Sequence, residues 1–221
     1  MAKWLISFFA LCFTSTGISA QAGTQSEAVI ALHALTLQFK GDACQFGPIT
    51  SCLEYEVDEN PLDLNVTAYL MIGMADSSSG VAGLSCGIAI STNVAIGNWI
   101  LCADSDIRSG GWPSTDGGGI KISWDPLTNC QRDLVETIGV HALVGAFVIY
   151  AYGNSWVEIT ANKNISPQEF SITDCADEVS DVALPGGKLG FGTEKGFNPC
   201  LDSTPTEPRT WGRIKGFYRK P

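Results

Sequence analysis

Gly83-Leu84-Ser85-Cys86-Gly87 fits the Gly-x-Ser-x-Gly pattern that presents a nucleophilic serine, here Ser85. His141 lies downstream, with Asp104, Asp106, Asp116, Asp125 and Asp133 between, so the hydrolase order of serine, acid and histidine is available. That chemistry needs a strand, a sharp turn and then a helix around the serine. The residues that follow, Ile88-Ala89-Ile90-Ser91-Thr92, are β-prone and run on without a turn, so Ser85 is expected in mid-strand. A secreted serine hydrolase is the weakest of three functional readings, and the chain is expected not to be an enzyme.

Other reactive types offer less. The only two histidines, His33 and His141, each fall in an apolar stretch with no partner at metal spacing, which favours packed residues over ligands. Asp104-Ser105-Asp106 and Asp58-Glu59-Asn60 place oxygen ligands in loops, but neither completes a calcium-loop pattern, so a solvated acidic surface is the better expectation. No metal or cofactor is expected. Trp112 sits with Asp116 in the glycine-rich run 109–119, where a flat ring could be offered to a sugar or protein. The competing and favoured reading is that Trp112-Pro113 folds back to plug the end of a core, because a bare indole in water is costly.

Seven cysteines follow the N-terminal segment: Cys44, Cys52, Cys86, Cys102, Cys130, Cys175 and Cys200. None forms a Cys-x-x-Cys pair, so disulfides in an oxidising compartment are the plain reading. Nearness in sequence favours Cys44–Cys52, Cys86–Cys102 and Cys175–Cys200, with Cys130 left over.

Residues 28–39, 64–74, 81–91, 98–103, 120–124, 140–152, 155–161, 170–173 and 188–192 are rich in β-branched and aromatic types. They are separated by Gly, Pro, Asn and Asp, and Gly153-Asn154 would turn a hairpin between 140–152 and 155–161. Short strands at this spacing predict an all-β fold, an antiparallel β-sandwich of Ig-like or jelly-roll type, over residues 23–204.

The ends differ from the body. Lys3, the apolar run 4–13 and the small residues up to Ala22 have the layout of a secretory signal, residues 1–22. Residues 205–221 read as a linker and a basic, aromatic terminal segment containing Trp211, Arg213, Lys215, Tyr218 and Arg219. Such a segment either docks its apolar side on the sandwich or serves in surface attachment. Residues 21–208 carry a net charge of -16 and the last thirteen residues +5. So acidic a body repels phosphate backbones, which argues against nucleic acid as a partner. No later apolar run is long enough to span a membrane as a helix.

Several blocks together resemble a family of uncharacterised exported proteins from uncultured bacteria. They are 80–88, Gly111-Trp112-Pro113 with Gly117-Gly118-Gly119, Thr128-Asn129-Cys130-Gln131, 139–152, and the ending Thr210-Trp211-Gly212 to Tyr218-Arg219. The resemblance implies export and supplies no mechanism; the fold expected from it looks distantly like cohesin-type surface modules. The expectation is therefore a secreted or cell-surface structural or adhesive protein, with an extracellular glycan or surface protein as the partner class. The alternative is a glycan- or protein-binding module using the Trp112 loop. Oligomeric state is not legible.

Overall fold

The computed structural model describes residues 25–35, 43–45, 51–58, 60–134, 139–183 and 185–202. The signal segment and the terminal segment, with Trp211, Arg213, Lys215, Tyr218 and Arg219, lie outside the described residues. The described residues form eleven strands, in chain order β1 (Val29–Leu35), β2 (Asn65–Ala75), β3 (Gly83–Ile90), β4 (Val94–Leu101), β5 (Ser105–Ser109), β6 (Gly119–Ser123), β7 (Val140–Ala151), β8 (Ser155–Thr160), β9 (Ser171–Thr173), β10 (Val179–Asp181) and β11 (Lys188–Phe191). The short α-helix α1 (Pro199–Asp202) comes last among the described residues.

The strands form two antiparallel sheets. One has four strands in the order β1-β2-β7-β4; the other runs β10-β9-β3-β6-β5, with β8 beside the second half of β3 and β11 outside β8. Period-two alternation sends one set of side chains from each sheet inward. Ile30, Leu32, Leu70, Ile72, Phe147 and Ile149 come from the four-stranded sheet, and Ile88, Ile120, Ile159 and Ile172 from the other; all are fully buried. Burying each such side chain contributes roughly 1.5–3 kcal/mol relative to leaving it exposed. This is the expected antiparallel β-sandwich.

The two sides of the sandwich are finished differently. On one, Gly187 donates to the Ile30 carbonyl at 2.8 Å and accepts from the Ile159 amide at 2.9 Å, joining the β1 edge to β8 of the opposite sheet. A side chain at Gly187 would run into the β1 backbone, so only glycine permits this stitch. On the other side, β4 pairs only with β7 and β5 only with β6 among the described residues, leaving two open edges.

Three disulfides tie the frame: Cys44–Cys102, Cys52–Cys200 and Cys130–Cys175, while Cys86 is a free, buried thiol. The expected pairing is corrected at every bond, and Cys86 and Cys130 exchange roles. Nearness along the chain fails because β3 and β4 belong to opposite sheets. Cys86 points into the core and burial pushes its thiol pKa up, so it stays protonated. Cys130 is instead brought to Cys175 by the bridge Val81↔Gln131 and by the Cys175 amide on the Ser79 carbonyl. The Gly153-Asn154 hairpin is corrected for the same reason: β7 and β8 lie in different sheets, so that turn crosses between layers.

Candidate functional site

Ser85 sits in the middle of β3, flanked by Lys121 of β6 and Ser171 of β9, with no turn or helix after it. It is buried, and the acid beside it is Glu169. The Lys121 ammonium, 2.8 Å away, holds the Glu169 carboxyl below its usual range. His141 belongs to β7 of the other sheet, so serine, acid and histidine do not converge. The geometry is that of a sheet residue.

The Trp112 loop is also corrected as a ligand site. Trp112 is 5 % exposed and packs edge-on against Trp99 at 5.6 Å and Phe147 at 6.5 Å between ring centroids. Gly110 and Gly111 take φ of 59° and 78°, left-handed turns that fold the indole back over the core. Asp116 accepts from the Ile90 amide at 2.9 Å, pinning the loop to the end of β3. Gly145 leaves the space in β7 that the Trp99 ring occupies. The plug reading holds, because the ring is spent on the core.

The acidic loops serve local structure. Asp104 accepts from the Asp125 amide at 2.7 Å and from Asn129 Nδ2 at 2.9 Å. Asp106 accepts from Trp99 Nε1 at 3.0 Å and pairs with Arg108 at 2.6 Å. Asp58 accepts from the Gly196 amide at 2.7 Å. No group of three or more His, Cys, Asp or Glu able to hold a metal occurs among the described residues. A groove of about 420 Å³ runs over the outside of the seven-stranded sheet, floored by Gly83, Ser105, Ser123 and Thr173 and rimmed by Asp104 and Asp125. Asp125 accepts from the Leu127 and Thr128 amides, the latter chiefly holding its carboxyl below the usual range. With Asp104 also committed, these rim acids face their own loop.

The outer face of the four-stranded sheet is different. Over β1 and β2 it is covered by the strap 51–58, bound through Cys52–Cys200 and by the Asn198 side chain on the Cys52 carbonyl at 2.9 Å. Over β4 and β7, residues 43–45 pack at the Leu101 end, tied there by Cys44–Cys102, and the rest of the face is open among the described residues. Register places Ile100 beside Ala146, and Ala95 beside Tyr150. Ile100, Val148, Tyr150 and Tyr152 are 42 %, 36 %, 38 % and 56 % exposed, and the two tyrosine rings lie 6.5 Å apart. β4 carries no charged residue in Val-Ala-Ile-Gly-Asn-Trp-Ile-Leu and is an edge strand, whereas proteins commonly guard such edges with charge or proline. A flat aromatic face beside an uncharged edge suits association with another protein. The sequence shows the alternation of Val148, Tyr150 and Tyr152, but not which face solvent would reach.

No protein-family model and no curated protein matches the chain. Among solved structures it is similar to a type I cohesin–dockerin complex from Clostridium thermocellum, at 9 % identity and TM-score 0.45, covering 74 % of this chain and 98 % of that one. A non-cellulosomal cohesin from Archaeoglobus fulgidus is 9 % identical with TM-score 0.43, over 74 % of this chain and 90 % of the other. A cohesin module from a Clostridium perfringens family 33 glycoside hydrolase is 12 % identical with TM-score 0.44, over 63 % and 94 %.

Proposed function

We propose that this chain is an exported, non-enzymatic surface module that holds another extracellular protein on the outer face of β4 and β7. One observation carries this reading: Ile100, Val148, Tyr150 and Tyr152 stand exposed together on a disulfide-tied sheet whose edge strand is uncharged. Tyrosines are the side chains most often found at the energetic centre of such contacts, being large, rigid and able to hydrogen-bond at the tip. The -16 charge of residues 21–208 disfavours a strongly acidic partner. Three disulfides are the chemistry of an oxidising compartment, and no helix among the described residues is long and apolar enough to cross a membrane. In this reading residues 1–22 direct export, and Trp211, Arg213, Lys215, Tyr218 and Arg219 form the end that attaches the module at the surface.

The test is binding of the fluorescently labelled protein to the extracellular protein fraction of the cells that produce it. Saturable binding is expected, weakened by roughly thirtyfold or more in Tyr150→Ala/Tyr152→Ala, the loss of about 2 kcal/mol that defines an interface hot spot. Both side chains project from the surface, so the melting temperature is expected to stay close to the parent's. Binding of equal strength in parent and variant contradicts the reading.

A further inference from the structure

The two histidines of the chain, 108 positions apart, meet at one side chain. Tyr55 of the strap 51–58 has its ring 5.6 Å from that of His33 on β1 and 5.9 Å from that of His141 on β7. Tyr69 of β2, beside His33 in register, adds a fourth ring at 6.4 Å from His33. Tyr55 is buried, and its hydroxyl and both His141 ring nitrogens are enclosed with no hydrogen-bond partner among the described residues.

The strap is held to β1 at Glu56. Its carbonyl accepts from the Ala34 amide at 2.9 Å, and its amide donates to His33 Nδ1 at 2.9 Å. The second bond exists only while Nδ1 carries a lone pair. A proton there would set two N–H groups against each other, and a second charge on His141 would face an apolar ring stack.

We propose that the strap 51–58 is an acid-released cover, latched over the four-stranded sheet by the neutral imidazoles of His33 and His141 on either side of Tyr55. Among the described residues, the charged groups around the latch are few. The strap itself brings Glu54, Glu56 and Asp58, the first two exposed to solvent and the third also exposed and bonded to the Gly196 amide. Ahead of β7, the Asp133 carbonyl accepts from the His141 amide at 3.3 Å, and the Asp133 side chain is exposed. β1 and β2 contribute His33 and Tyr69. Burial lowers His33 to about 4 and lowers His141 as well, so the closed strap resists protons that an open one would accept at the ordinary value of 6.5. Both groups are depressed in the closed form. The latch is therefore at full strength above pH 6.5 and weakens as pH falls through the interval down to about 4. At about pH 5, protonation of His33 alone shifts the opening equilibrium by about thirtyfold. Cys52–Cys200 at one end, and the Val57 carbonyl on the Gly190 amide at 2.8 Å at the other, keep the loosened strap attached, and opening between them uncovers Tyr69.

Amide hydrogen exchange of the intact protein, corrected for the intrinsic pH dependence, reads the latch at the Glu56 amide. Protection is expected to fall about tenfold or more between pH 7 and about pH 5, while amides within the β2–β7 pairing keep theirs. In His33→Asn/His141→Phe the asparagine oxygen can still accept from Glu56 and neither side chain titrates, so the fall is expected to vanish. Should that variant fail to fold, proton NMR of the parent decides, because its two histidines give two resolvable titrations. Midpoints well below 6.5 support the latch; midpoints at 6.5, or unchanged Glu56 protection on acidification, overturn it. Equal loss of protection in the variant overturns it too.

Discussion

Replacing Trp112 by alanine is expected to lower the unfolding free energy by about 3–5 kcal/mol, measured by urea denaturation, because it empties the end of the core. The indole lies between Trp99, anchored by its Nε1 on Asp106, and Phe147. It closes the sandwich from a loop that crosses between β5 and β6. Its own Nε1 is buried with no partner among the described residues, so the loss is one of packing and not of a hydrogen bond. Trp112→Phe, which keeps an aromatic ring in the slot, is accordingly expected to cost much less. If Trp112→Ala leaves stability within about 0.5 kcal/mol, as exposed positions do, the ring is not the plug described here.

Removing Cys52–Cys200 has the next largest expected effect. The pair is 148 residues apart, against 58 and 45 for the others. Chain entropy then assigns Cys52→Ser/Cys200→Ser a loss of roughly 5 kcal/mol, and roughly 4 kcal/mol to either other pair. A domain of this kind is typically stable by only about 5–15 kcal/mol, so the variant stands near its folding limit at ambient temperature. The loss is also local, since the bond fastens both the strap 51–58 and α1, and Cys52 packs on Gly73 of β2. Guanidinium unfolding of the three serine pairs reads this directly. A Cys52–Cys200 variant more stable than the Cys44–Cys102 variant would contradict the placement of that bond.

The strands that bury a face were legible, and those that do not were missed. β2, β3 and β7 show continuous or alternating apolar residues, and their observed limits lie within about two residues of those expected from sequence. β5, Ser-Asp-Ile-Arg-Ser, reads as an acidic loop because an open edge strand with an exposed Ile107 has no apolar face to advertise. β4 begins four residues earlier than expected for a related reason: its first half is largely exposed, and alternation is lost at the irregularity between Ile96 and Trp99. The cysteine pairing and the meeting of His33 with His141 depend on sheet order, which no local pattern encodes. The Trp112 loop was the opposite case. Its Trp-Pro step already favoured folding back, since solvent is a poor place for an indole. The aromatic face fell between these cases, because Tyr150 and Tyr152 alternate visibly while β4's place at the sheet edge decides that water reaches them.

Peptide mapping of the purified native protein under non-reducing conditions tests the disulfide-tied two-sheet body most directly. Three cross-linked peptide pairs are expected, Cys44 with Cys102, Cys52 with Cys200 and Cys130 with Cys175, with Cys86 alkylated only after denaturation. Cys86 found within a cross-link, or all of these sulfurs found as free thiols, would contradict both the strand layering and the oxidising compartment on which the proposed role stands.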